Sequence, residues 1–238
     1  MGTQAPDLPL FFPGLTPSYQ VTHSWHWGAP VNLVYGLSLV WLCAWLRPAV
    51  VALLPELARR KLAVAPDSSR SRGKHGLGRL GCAVLLGAAT HLFWDEFTHE
   101  SGLAVSALPV LGQPWLGSFA GYKLLQYSSG VLGVLFLSGW VLRAYRRAPL
   151  HADLTLRWRE PARRLLLLLI LVVAPVSCWI AAYAVALDHV APSRRLHELA
   201  YRGITTTFAA TLVLCIAARV LFALRSCRTR TATPVADA

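Results

Sequence analysis

Five stretches of this chain are apolar almost without interruption, at residues 31–46, 80–97, 122–142, 165–187 and 200–224. The first is short until residues 50–54 are added beyond Pro48, which is expected to kink it. The other four approach or exceed the ~20 residues a helix needs to cross the hydrocarbon of a bilayer. Pro175 should bend the fourth, a distortion that neighbouring helices can accommodate. The predicted fold class is all-α, a polytopic transmembrane helical bundle of about five spans. Ahead of it, residues 1–28 are Pro-rich and aromatic. Pro6, Pro9, Pro13 and Pro17 argue against a regular helix there, and Trp25 and Trp27 suit a membrane–water interface. The organisation expected is an interfacial loop over 1–28, a transmembrane domain over 29–226 and a tail over 227–238.

One decapeptide breaks the apolar pattern. Thr90-His91-Leu92-Phe93-Trp94-Asp95-Glu96-Phe97-Thr98-His99 begins inside the second stretch, where an ionisable side chain is costly. His91, Asp95 and His99 are spaced i, i+4, i+8, so a helix stacks them on one face. Two imidazoles and a carboxylate aimed together are the beginning of a metal site. Glu96 points about 100° away from Asp95 on an ideal helix. It is expected to act as a base behind the ligands or to face the interface.

Composition agrees with a membrane protein. The chain is 55% hydrophobic and 14% charged, with mean hydropathy +0.48, against about a quarter charged in soluble domains. The net charge of +12 would suggest nucleic acid if it formed one basic face. It does not: the positive residues cluster in alternate connections. Arg47, Arg59, Arg60, Lys61, Arg70, Arg72, Lys74 and Arg79 lie between the first two stretches, Arg143, Arg146, Arg147, Arg157, Arg159, Arg163 and Arg164 follow the third, and Arg219, Arg225, Arg228 and Arg230 end the chain. The connection between the last two stretches holds a few, Arg194 and Arg195 with Arg202 at its edge. Residues 1–28 and 98–121 hold no Lys or Arg, and no secretory signal peptide is expected. Basic connections stay cytoplasmic, so the expected topology has the N-terminus outside and the C-terminus inside, with no nucleic-acid partner. Cys43, Cys82, Cys178 and Cys215 fall within apolar stretches and Cys227 in the tail, with no CxxC pair, so neither a disulfide nor a thiolate zinc site is expected.

That topology brings Asp7, His23 and His26 to the same membrane face as His91, Asp95 and His99. Imidazoles and carboxylates suit zinc or a similar divalent ion, and a cation would offset the cost of Asp95 at membrane depth. The plainer reading of His91 and Asp95 is a hydrogen-bonded polar pair between helices. His26 and His99 can be ordinary interfacial residues, and Asp7 a turn residue. Lys123, in the first turn of the third stretch, either snorkels to the surface or neutralises a developing anion. Arg202 suits a lipid headgroup or topological role.

Ala5-Pro6-Asp7-Leu8-Pro9, Thr22-His23-Ser24, the decapeptide ending at His99, and Tyr122-Lys123-Leu124-Leu125-Gln126 occur in that order. Together they resemble the bacterial multi-pass membrane family called domain of unknown function 4184. That family is similar to inner-membrane proteins labelled metal-dependent hydrolases and has been compared with zinc-dependent phospholipase C and P1 nuclease. The resemblance implies metal ligands at Asp7, His23, His91, Asp95 and His99, while the residues themselves suggest catalytic roles at Asp95, Glu96 and Lys123. It departs in two places. Relatives usually begin with a further apolar segment, which would make a sixth span, and often carry His where Tyr127 stands.

The function expected is a metal-dependent hydrolase, with a zinc-like divalent ion, in the bacterial inner membrane. Metal-activated water would attack a lipid-like ester or phosphoester at the outer face. The alternative is a non-enzymatic membrane protein with a metal-binding, transport or envelope-assembly role.

Overall fold

The computed structural model describes residues 1–12, 18–62, 74–117, 119–150, 160–189 and 195–231. A 3₁₀ turn (Gly2–Gln4), α1 (Leu8–Phe11) and α2 (Tyr19–Thr22) lead into α3 (Gly28–Leu53), α4 (Glu56–Leu62) and α5 (Lys74–Thr98). A connector follows, made of α6 (Leu103–Ala107), a 3₁₀ turn (Pro109–Gly112) and a hairpin of β1 (Pro114–Leu116) and β2 (Phe119–Ala120). The chain continues through α7 (Gly121–Arg147), α8 (Glu160–Leu168), a π-helical segment (Leu169–Val173), α9 (Ala174–His189) and α10 (Arg195–Thr231). Five helical stretches are long and apolar enough to cross a membrane: Gly28–Leu53, Gly76–Ala107, Gly121–Arg147, Glu160–Val185 and Tyr201–Leu224. This is an all-α membrane protein, as the apolar pattern predicts. Its helices turn large apolar side chains outward, Phe136 of α7 being 77% exposed. That arrangement is a liability in water and the ground state in lipid.

The fold divides into two compact units, one formed by residues 1–8, 18–39 and 74–149 and the other by 9–12, 40–62, 150, 160–189 and 195–231. The first is organised around Val84 in mid-α5, which is nearly fully buried. The Val84 side chain sits against Gly36 of α3, where a Cβ would collide with it. Gly2 lies against the Val84 carbonyl, too close for any side chain. A Cβ on Gly87 would come within 2.9 Å of the Thr3 nitrogen. Small residues thus let three backbone segments approach, as between helices in membranes. The start of the chain is therefore a 3₁₀ turn laid along α5, and α1 follows with Pro9 in its first turn, where a missing N–H is tolerated. Gly87→Val should push the N-terminal turn off α5, costing about 1–3 kcal/mol. Limited proteolysis should then cut near the N-terminus of the variant and leave the wild type intact there.

In the second unit, Ala52, Leu53 and Ala218 form a small buried core with α8 side chains packed on it. Pro48 lies within α3, which runs on to Leu53. The bend expected at Pro175 takes a specific form. Proline has no N–H, and its ring crowds the carbonyl four residues back. The helix widens just before it, and the Ala174 N–H donates to the Leu169 carbonyl, five residues back. Arg219 is satisfied within its unit: Nε donates to the Trp45 carbonyl at 2.8 Å, and the guanidinium sits 5.5 Å from the Trp45 ring. Arg163 donates to the Leu53 carbonyl at 3.3 Å, where a cation suits the last turn of α3.

Candidate metal centre

Asp7 arrives just after the 3₁₀ turn seated on α5, and one buried hydroxyl fixes it there. Thr22 Oγ1 donates to the Pro6 carbonyl at 2.7 Å. Asn32 Nδ2 donates to the Thr22 carbonyl at 2.8 Å. Both side chains are completely buried. This clamp ties the residue before Asp7 to the residue before His23. Thr22 stands within one of the motifs that carry the resemblance, with no role that spacing alone assigns, and Asn32 lies outside those motifs. An amide at the start of an apolar stretch was the available signal.

His23 presents a defined edge. Its Nδ1 is 3.0 Å from the Tyr19 carbonyl, which can only accept, so Nδ1 carries the proton and Nε2 faces inward. A backbone carbonyl holding the far nitrogen is the usual support of a metal-binding imidazole. The ring also stacks on Tyr19, with centroids 3.7 Å apart. His23 Nε2 lies 3.5 Å from Asp7 Oδ1 and 3.4 Å from Asp95 Oδ2. From α5, His91 Nε2 lies 3.5 Å from Asp7 Oδ2 and 3.2 Å from Asp95 Oδ2. Asp7, His23 and His91 offer ligand atoms within 4.8 Å of one another and form a triad able to hold a metal ion. Asp95 touches both imidazoles of that triad.

Two observations show that these residues fit a cation. His23 Nε2, His91 Nε2 and Asp95 Oδ2 are buried without a hydrogen-bond partner, although they face one another. Their spacings are long for charge-assisted hydrogen bonds, which run about 2.7–2.9 Å. At 3.2–3.5 Å they are close to the roughly 3.3–3.4 Å that separates two donors on the ~2.0–2.1 Å arms of zinc, with Asp7 offering a different oxygen to each imidazole.

Electrostatics give the same picture from the proton's side. Burial alone would raise the Asp7 carboxyl, but hydrogen bonds and positive charge from His23 and His91 outweigh it and hold the group down at about 2. Burial would lower His23, yet the Asp7 and Asp95 carboxylates raise it to about 9. Burial and those two negative charges push the Tyr19 hydroxyl up to about 12.

The remaining expected site residues sit differently. His99 Nδ1 is 3.4 Å from Asp95 Oδ1, the oxygen turned away from the triad, and its side chain is 40% exposed. It braces Asp95. Glu96 accepts the Leu103 N–H at 2.7 Å and the Trp25 indole at 3.4 Å, so its carboxylate holds the start of α6. Lys123 Nζ donates to Gln126 Oε1 at 3.2 Å on its own helix. His26 is exposed and lies outside the triad. A cleft of about 270 Å³ opens on the cluster, with Tyr19, His23, Leu92, Asp95, Glu96 and His99 in its wall. A larger groove of about 440 Å³ beside α2, with Trp27 and Pro30 in its wall, carries no ionisable side chain.

A family model described as Domain of unknown function (DUF4184) matches residues 1–220. The chain belongs to this family. The match takes in every residue of the cluster, from Asp7 to His99. No curated protein and no solved structure matches the chain.

Thr22→Val keeps the shape of the clamp in this DUF4184 chain and removes its hydrogen bond. It should cost about 1–3 kcal/mol for the stranded Pro6 carbonyl. Metal affinity should fall about 10–100-fold, as for other residues that orient ligands. Thermal melting and a competitive zinc titration read the two effects separately.

Proposed function

We propose that this protein is a membrane-embedded, metal-dependent hydrolase of the bacterial inner membrane, acting at the outer face on a lipid-like ester or phosphoester. The observation carrying this reading is the convergence of buried, unpartnered His23 Nε2, His91 Nε2 and Asp95 Oδ2 around Asp7, beside an open cleft. Asp7, His23, His91 and Asp95 would hold a divalent ion, and two imidazoles with two carboxylates favour zinc. When bound, such an ion supplies Lewis-acid polarisation and a water-derived nucleophile near neutral pH. The chain's own part is orientation and proton handling. Tyr19 fixes the His23 ring through its carbonyl. His99, half-exposed in the cleft wall and anchored on Asp95 Oδ1, is placed to carry a proton between the cleft and solvent. Glu96 keeps the wall in position rather than acting as the base. The absence of Lys and Arg from residues 1–28 and 98–121 supports the outer-face orientation.

Elemental analysis of detergent-purified protein should find close to one divalent metal per chain after reconstitution, and labelled phospholipid or short-chain ester should be turned over. Absence of stoichiometric metal would sink the metal centre. Metal without turnover of either substrate would instead favour a non-enzymatic metal-binding role.

A further inference from the structure

Between Glu100 and Lys123 the chain contains no Asp, Glu, Lys, Arg or His. The connectors after α3 and α7 are, by contrast, dense in arginine. This neutral segment is also folded so that its backbone groups bond locally. Ser106 N–H donates to Gly102, Leu108 to Ala104, Leu111 to Leu108, Gln113 to Val110 and Gly121 to Gln113, at 2.9–3.2 Å. The Trp115 indole donates to the Val110 carbonyl at 2.8 Å. Val105 and Leu111 turn inward, but other large apolar side chains point outward: Leu103 is 71% and Leu116 66% exposed, with Leu108, Val110 and Phe119 exposed beside them.

Uncharged sequence, internally bonded backbone and outward apolar side chains are together what a bilayer demands of non-spanning structure. The segment is continuous with the membrane-spanning stretches Gly76–Ala107 and Gly121–Arg147. We propose that the connector from Leu103 to Phe119 is embedded in the membrane interface beside the metal cleft, so that substrate enters sideways from the bilayer. The link to the cleft is direct. Ser101 and Gly102 line it, and the Glu96 carboxylate, one residue after Asp95, holds the Leu103 N–H at 2.7 Å. A Cβ on Gly102 would clash with the Glu96 backbone, so the connector leaves α5 in close contact beside the ligand-bearing turn. Sideways entry rests on the hydrolase reading. Insertion of the connector stands without it.

The test uses the full chain with Cys43, Cys82, Cys178, Cys215 and Cys227 replaced by alanine, in phosphatidylcholine–phosphatidylglycerol vesicles. Nitroxides on Leu116→Cys and Phe119→Cys should be more accessible to oxygen than to a nickel chelate, like a label on Phe136→Cys of α7. Labels freely quenched by the nickel chelate would overturn insertion. So would strong dipolar coupling between copies, which would mark the face as an interface with a second chain. For entry, the double variant Leu116→Asp, Phe119→Asp should retain bound metal. It should lose at least roughly 10-fold in turnover of vesicle phospholipid, since two embedded acids oppose insertion, and keep turnover of a soluble short-chain ester. Equal loss on both substrates, or loss on neither, overturns sideways entry. A wild type inactive on both overturns the hydrolase reading, and the depth measurement still decides insertion.

Discussion

His91→Ala is expected to abolish stoichiometric metal binding while the helices remain folded. His91 Nε2 is the buried atom that faces both Asp7 Oδ2 and Asp95 Oδ2, at 3.5 and 3.2 Å, and it has no other hydrogen-bond partner. Removing it leaves His23 as the imidazole shared by the two carboxylates, with His99 on the outward oxygen of Asp95. The loss in affinity should exceed about 100-fold, beyond the 10–100-fold expected of residues that only orient ligands. His99→Ala, by contrast, should fall within that smaller range, because His99 reaches only the outward oxygen of Asp95. Zinc titration against a chelator of known affinity ranks the two variants. A His99 effect equal to the His91 effect would restore His99 to the ligand set. Helical circular dichroism checks that both variants fold.

Metal affinity should also rise steeply with pH. In the metal-free protein the His23 imidazole is raised to about 9, so it is protonated at neutral pH, and a cation must displace that proton. Affinity is therefore expected to increase about tenfold per pH unit for each proton released, and His23's share should level off above 9. Asp7, held down at about 2, is already ionised throughout that range and adds no slope. Calorimetry at pH 7 in buffers of different ionisation enthalpy should show release of at least one proton. A pH-independent affinity would mean that metal does not displace the proton from the inward nitrogen of His23. The same shifts set the metal-free protein's stability. The His23 contribution is complete below its ordinary 6.5 and disappears as pH rises to about 9. The Asp7 contribution is present above its ordinary 3.8 and fades as pH falls to about 2. Metal-free protein should thus melt highest between 3.8 and 6.5, and bound zinc should move the optimum upward.

The face shared by His91 and Asp95 was legible in the sequence because i, i+4 spacing on a helix is local geometry. The same spacing says less about which oxygen of Asp95 His99 meets. The spacing aligned the three residues, but the turn at the end of α5 left His99 touching the outward oxygen of Asp95. For Glu96, spacing turns the carboxylate away from Asp95 but does not name its partners. Its partners, the Leu103 N–H and the Trp25 indole, come from segments that helical periodicity does not relate. Pro175 shows the same limit within one helix. A distortion was predictable from its missing N–H, but not that it would widen the preceding turn into a π segment.

By itself the sequence determined the five apolar helices, their approximate limits and the polar turn in the second, because hydrophobic length and helical period are properties of neighbouring residues. Only the tertiary structure decided that Asp7, His23 and His91 meet. That meeting depends on glycines at 2, 36 and 87 closing around Val84 and on the Thr22 hydroxyl gripping the Pro6 carbonyl. These contacts join residues far apart in the chain, and packing, rather than periodicity, brings them together.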